Sequence, residues 1–470
     1  MKAKKLNRIV DLVLLLTLFI STVASHAQPK NKKADATGKP NVVIIMADDL
    51  ASSELSCYGG TNITTPHIDA LARQGLRFRQ IYASTSMCTP TRASLFTGLY
   101  PARHGSFQNH KAVFDNLKSI GHYLGDLGYK VALTGKNHST RPRSVFPFEI
   151  IGGFQKNCVS KTADYTIDSL TSFVSSSKEP FCLFVMSINP HAPWTVGNPG
   201  EFNADKLVLP PDWVDTRETR RQFTKYLAEV MQLDNEVGAV MNMLRATGKD
   251  KNTLVIFLGE QGPQFLGGKW TCWDHGQKSS MIAWYPGKIQ APRETDAIVQ
   301  YEDITPTLVD FAGGKPIEGL DGTSFLAVIE GKTEKHRQYA YGIHNNIPEG
   351  PAYPMRSIRD DRYKLILNLT PEAHYKIKYT MAGKNTMLWD SWLEKAQTSE
   401  EAKFITRRLT TRPPVEFYDI STDPWELKNL AADPAHAARI KTLTDELRRW
   451  MNQQGDEGAP MDKVYSKAGH

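Results

Sequence analysis

Asn41-Val42-Val43-Ile44-Ile45-Met46, followed by Ala47-Asp48-Asp49, decides the fold of this chain. Five of the first six side chains are apolar and four are β-branched, so neither face of the run is suited to water. It reads as a strand buried on both faces of a sheet, the environment of parallel sheets covered by helices. The pattern recurs downstream. Helical spacing from Ser119 to Leu127, stopped by Gly128, precedes a strand from Lys130 to Leu133 that runs into Thr134-Gly135-Lys136-Asn137-His138. A helix from about Asp164 to Ser176 precedes the strand Phe181 to Ile188 and the loop Asn189-Pro190-His191-Ala192-Pro193-Trp194. A long helix from about Glu218 to Ala246 precedes the strand Thr253 to Leu258, which ends at Gly259-Glu260-Gln261-Gly262. Such alternation predicts an α/β domain with a largely parallel sheet.

In open sheets of this kind, sites gather just beyond the C-terminal ends of the strands. Here four strand ends carry ionisable or metal-capable groups, and their convergence says more than any one motif. Asp48 and Asp49 would face opposite ways on a regular strand, so both reach one ion only where the strand is ending. Taken singly, an Asp-Asp pair is equally a solvated turn, a lone Lys or His equally a surface or packing residue, and Glu260 equally an ordinary strand-end carboxylate. After about residue 335 the texture changes. Tyr339 to Ile343 and Arg362 to Leu367 read as antiparallel strands, Phe417-Tyr418-Asp419 as another, and Ala435 to Asn452 as a last amphipathic helix. The expected organisation is a catalytic domain over 40–334 and a smaller α+β subdomain over 335–470, without internal repeats.

The N-terminus has Lys2, Lys4, Lys5 and Arg8, then an apolar run from Val10 to Val23, then Ser25-His26-Ala27. This is the pattern of a signal peptide over 1–27 with cleavage after Ala27, and it implies an exported protein, periplasmic or secreted. The run is too short for a membrane span, and no Cys stands at the cleavage point to carry a lipid, so no stable membrane anchor is expected. Residues 28–39, rich in Lys, read as a polar linker. Losing four basic residues and one acidic residue with the signal lowers the formal net charge from +7 to +4. That balance argues against nucleic-acid binding and suits an anionic substrate. Of five Cys, Cys57, Cys158, Cys182 and Cys272 are open to pairing or to remaining free thiols.

One further segment carries chemistry. In Cys88-Thr89-Pro90-Thr91-Arg92, continuing to Thr97-Gly98, Pro90 suits a first helical turn and Thr89 an N-cap, which sets Cys88 at a helix N-terminus where an anionic group is favoured. This pentapeptide resembles the modification signature of the type I, formylglycine-dependent sulfatases of the alkaline-phosphatase-like superfamily. Thr-Gly-Lys-x-His at 134–138, Asn-Pro-His-x-Pro at 189–193, Thr305-Pro306-Thr307-Leu308 and the stretch Phe417 to Leu430 extend the resemblance over about 41–430. It implies an alkaline-phosphatase-like sandwich with a large, mostly parallel central sheet and a smaller C-terminal subdomain with an antiparallel sheet.

It also implies that Cys88 is oxidised to Cα-formylglycine by a formylglycine-generating maturation enzyme. A hydrated aldehyde has two hydroxyls on one carbon: one attacks sulfur and releases the sugar alcohol, and the other, losing its proton, expels the sulfate. A Ser or Cys nucleophile would be left holding a stable ester. One Ca2+ would be held by Asp48, Asp49, Glu260, Gln261 and an oxygen of residue 88, although the commoner pattern has Asp where this chain has the longer Glu260. Arg92, Lys136 and Lys269 would offset charge on the sulfuryl oxygens, His138 would help take a proton from the hydrate, and His191 would protonate the leaving sugar oxygen. The implied substrate is a sulfated carbohydrate, either an algal polysaccharide such as ulvan or a glycosaminoglycan. The Glu-Gln-Gly and Lys-Trp-Thr variants are similar to the branch with heparan N-sulfatase-like proteins. The alternatives are a phosphomonoesterase or phosphodiesterase of the same superfamily, which would need more Asp and His ligands than these strand ends offer, and an inactive glycan-binding relative. A thiol phosphatase is excluded, because its Arg would stand at position 94, which is Ser.

Overall fold

A computed structural model of the chain describes residues 38–381 and 386–461. The expected signal sequence, and all but the last two residues of the expected linker, lie outside the described residues. The central sheet has nine strands: β1 (Asn41–Met46), β2 (Leu76–Tyr82), β3 (Lys130–Gly135), β4 (Glu149–Ile150), β5 (Phe181–Met186), β6 (Thr253–Leu258), β7 (Lys278–Trp284), β8 (Arg293–Thr295) and β9 (Val299–Gln300). Their order is β4-β3-β5-β1-β6-β7-β2-β8, with β9 beside β2, and β7 alone of these runs against the others. The sheet is α/β and mostly parallel, as the alternation predicts.

Alternation along β1 builds two cores. Val43 and Ile45 face Phe223, Leu227 and Val230 of a helix, α2 below, while Val42, Ile44 and Met46 face the side that holds Leu95, Phe96 and Leu308. Phe96 belongs to α1 (Cys88–Thr97), and the opposite face is covered by α2 (Arg217–Ala246). No helix among the described residues is long and apolar enough to cross a membrane. A second sheet of four antiparallel strands, β10 (Ala340–His344), β11 (Met355–Arg359), β12 (Tyr363–Asn368) and β13 (Val415–Asp419), packs through Ile343, Ile358, Leu365 and Phe417 on Leu443, Leu447 and Trp450 of α5 (Ala437–Gln454). Between β12 and β13 lies a hairpin of α3 (Met387–Ala396) and α4 (Glu400–Thr410), whose Trp392 and Ile405 join the core on the α2 side.

Register positions the loops. Met46 is level with both Met186 and Leu258, and Gly135 is level with Met186, so β3, β5, β1 and β6 end side by side. At Gly135, φ is +85° and an added Cβ would lie 2.0 Å from the Met186 carbonyl oxygen. Gly135→Ala should therefore destabilise the protein by about 2–4 kcal/mol, measured by denaturant unfolding, because neither backbone can yield without breaking the β3–β5 ladder.

Candidate active site

The two acids at the end of β1 meet because the backbone leaves the strand between them. Asp49 has φ 66°, in the left-handed region, and Glu260 after β6 has φ 75°. Such conformations cost about 1–3 kcal/mol each in non-glycine residues, and the surroundings hold them. The Asp49 N–H donates to Glu260 Oε2 at 3.1 Å, and the Glu260 N–H donates to the Tyr301 hydroxyl at 2.7 Å. As a result, Asp48, Asp49, Cys88 and Glu260, all buried, each present an atom within 4.8 Å of the others.

Three cations neutralise three carboxylates. Lys136 Nζ contacts Asp48, and Lys269 Nζ lies 2.8 Å from Asp49 Oδ2 and 3.3 Å from Cys88 Sγ. Arg92 Nε donates to Glu260 Oε1 at 2.5 Å and its Nη2 to the Ala47 carbonyl at 3.1 Å. The guanidinium thus holds Glu260 and stands 3.6 Å from Asp48 Oδ1, in the same cluster in which the two lysines hold Asp48 and Asp49. Burial would raise the Asp48 carboxyl, but Lys136, His191 and Arg92 outweigh it and hold it well below the usual range. Burial pushes the Cys88 thiol up to about 12 against the pull of Lys136 and Lys269, so the unmodified side chain is a neutral, weak nucleophile.

The donor set suits a hard divalent cation. Asp48 Oδ1 and Gln261 Oε1 are buried with no hydrogen-bond partner among the described residues, and the remaining donors are carboxylate oxygens beside the residue 88 side chain. Gln261 Nε2 meanwhile donates to Asp49 Oδ1 at 2.5 Å and Glu260 Oε2 at 3.0 Å, tying the amide to the cluster.

His191, after β5, has Nε2 3.6 Å from Asp49 Oδ2. Its Nδ1 donates to the Ala192 carbonyl, so Nε2 is the nitrogen left to exchange a proton. Burial, then Lys269 and Lys136, hold this imidazole well below its usual range. His138 stands further out, its ring edge-on to His110 at 5.5 Å and its buried Nδ1 unpartnered among the described residues. Burial and the Lys136 charge bring it down to about 2, a neutral ring. The helix start differs from the sequence expectation. α1 begins at Cys88 with Met87 as N-cap, and Thr89 caps nothing, because the chain enters the helix two residues earlier and Thr91 Oγ1 donates back to the Thr85 carbonyl. All five cysteines are free.

The loops after these strands and the start of α1 bring acids, cations and a cysteine together, and comparison with known proteins decides the family. The model of the family described as Sulfatase matches residues 40–314, and that described as N-sulphoglucosamine sulphohydrolase, C-terminal, matches 265–384. An ulvan-active sulfatase of Formosa agariphila is 30% identical over 90% of this chain and 82% of its own. The chain belongs to the sulfatase family. It is a sulfuric ester hydrolase.

Solved structures share the fold of this sulfatase. A protein in complex with its substrate D-glucosamine-2-N,6-O-disulfate aligns with TM-score 0.70 and 21% identity, covering 90% of this chain and 100% of that one. The phosphonate monoester hydrolase of Agrobacterium radiobacter aligns with TM-score 0.68 and 20% identity, covering 88% and 96%. Around the site of this sulfatase stand residues that sequence reasoning passed over. Cys158 Sγ lies 4.0 Å from His191 Nε2, and Lys161 and Glu229 form a buried pair beside it. Glu229 and Glu236 had a signal: with Tyr226, Leu233, Val240 and Met243 they fall at spacings of three and four on the buried stripe of α2.

Proposed function

We propose that this sulfatase is exported and hydrolyses sulfate esters or N-sulfates of a sulfated polysaccharide or its oligosaccharides, with Cys88 converted to Cα-formylglycine by a maturation enzyme and one Ca2+ at Asp48, Asp49, Glu260, Gln261 and residue 88. The observation that carries the reading is that Lys269 Nζ lies 2.8 Å from Asp49 Oδ2 and 3.3 Å from Cys88 Sγ, so a cation, a carboxylate and the cysteine meet in one buried place. The bound ion would supply fixed positive charge against the sulfuryl oxygens. The aldehyde hydrate would supply two hydroxyls on one carbon, which a thiol lacks.

The chain's own residues do the rest. Lys136 and Lys269 face the charge that spreads over the sulfuryl oxygens, and Arg92 keeps Glu260 turned inward. Burial, then the two lysine charges, hold His191 neutral in the free enzyme; an arriving ester anion offsets the lysine part, and with a proton taken from solvent its Nε2 would serve as donor to the leaving sugar oxygen. His138, a neutral ring with Nδ1 unpartnered among the described residues, would accept a hydrogen bond from the hydrate hydroxyl and so help it lose its proton. Lys269→Ala should lower kcat/KM by about 100- to 1000-fold, the cost of one electrostatic contact to a developing charge, as steady-state sulfate release would show.

Support for a glycan comes from the ulvan-active relative and from the match over 265–384. The phosphonate hydrolase likeness is one of fold. A two-metal phosphatase is disfavoured, because among the described residues both groups able to meet at one ion, Asp48-Asp49-Cys88-Glu260 and Asp48-Cys158-His191, need Asp48. The test is sulfate release from a panel of defined O- and N-sulfated oligosaccharides by protein matured in the presence of the generating enzyme. Release from at least one supports the reading. An aldehyde at 88 with no release from any, or equal turnover of phosphate and sulfate esters, overturns it.

A further inference from the structure

α2 carries two buried carboxylates seven residues apart, Glu229 and Glu236, on one face and about 10 Å apart along the axis. Each holds one side of the loop that bears His191. On the strand side, Glu236 Oε2 accepts from Ser187 Oγ at 2.6 Å and Oε1 from Asn189 Nδ2 at 2.8 Å. On the far side, Glu229 Oε1 accepts from the Thr195 N–H at 2.7 Å and the Val196 N–H at 3.2 Å. Its Oε2 pairs with Lys161, whose Nζ also donates to the His191 carbonyl. The loop also meets the acids through its backbone, where the Asp48 N–H donates to the Asn189 carbonyl at 3.0 Å, and through His191 Nε2, 3.6 Å from Asp49 Oδ2.

We infer that Glu229 and Glu236 are positioning residues of the reaction: they fix the backbone on both sides of His191, and so the place of Nε2 at the leaving oxygen. This rests on the reading of His191 as proton donor. Buried charge is costly, and a loop could be anchored by neutral groups. Two carboxylates here, one with its own buried lysine, give strong, directional acceptors that a small backbone shift would break.

The two sites respond differently to the same substitution. In Glu229→Gln an amide NH2 meets the Lys161 ammonium, leaving a buried charge unpaired and freeing the His191 carbonyl. In Glu236→Gln the amide oxygen still accepts from Asn189, and Ser187 can turn to accept from the NH2. The experiment compares the matured enzyme and its variants on a sugar sulfate, whose poor leaving group needs a proton, and on a nitrophenyl sulfate, whose good one does not. Glu229→Gln and Glu236→Ala should lower kcat on the sugar sulfate by about tenfold or more and leave the nitrophenyl rate within about threefold, while Glu236→Gln stays near the parent on both. Since both rates come from one preparation, a loss of folded protein cannot mimic the split. In a His191→Ala background Glu229→Gln should cost nothing further on the sugar sulfate. Equal losses on both substrates, or an additive loss in that background, would overturn the positioning role. If His191→Ala itself fails to separate the two substrates, the proton-donor reading falls and this inference with it.

Discussion

Cys88→Ala should abolish sulfate release, lowering kcat/KM by about 10,000-fold or more, while the protein stays folded. The size follows from the chemistry. The cations and acids around position 88 position and neutralise, but none of them supplies a bond to sulfur. Cys88 is buried at the first residue of α1, flanked by Lys269 and the carboxylates, and its small side chain contributes little packing. Cys88→Ser, expressed where serine is not converted, should be as inactive, because a plain alcohol would keep the sulfate it accepts. Rates of sulfate release by purified variants, alongside their thermal unfolding, decide this. A serine variant with substantial turnover would show that one hydroxyl suffices.

Asp49→Asn should be nearly as damaging, with kcat/KM reduced by about 1000-fold and the response to calcium lost. Asp49 holds Lys269 at 2.8 Å and accepts from Gln261, and on the proposed reading it would also ligate the ion. An amide there keeps the shape but removes the charge, so Lys269 loses its counter-ion in a buried place. Binding at a hundredfold excess over the dissociation constant stabilises a folded protein by about 2.7 kcal/mol. The melting temperature of the parent should accordingly rise on adding calcium and fall with a chelator, and that of Asp49→Asn should not respond. A variant that retains the calcium-dependent shift would remove Asp49 from the ligand set.

The central strands were legible because their signal is local. β6 runs over Thr253–Leu258 and α2 over Arg217–Ala246, within a residue of what apolar runs and helical spacing suggest. Strands whose polar residues find partners far along the chain were not legible. β2 carries Arg77 and Arg79, neutralised by Glu294 and Asp296, and β11 carries the buried Arg356, neutralised by Asp456. β7 opens Lys278-Ser279-Ser280 and lies antiparallel beside β6, which no pattern of alternating strands and helices announces. The same limit governs the site. Asp48, Asp49, Lys136, His191 and Lys269 each sit in a recognisable local motif, and the structure brings them together. Arg92 was legible as a charge but not as the partner of Glu260, and the buried spacing of Glu229 and Glu236 on α2 does not announce that their partners lie in the His191 loop.

The most direct measurement is the mass of the peptide bearing residue 88 in protein produced with the maturation enzyme, taken on the same sample whose sulfate release is assayed. It should show the thiol replaced by an aldehyde, with one sulfur and two hydrogens lost and one oxygen gained, and activity should rise in proportion to the converted fraction. Full sulfatase activity from protein in which residue 88 is still cysteine would contradict it.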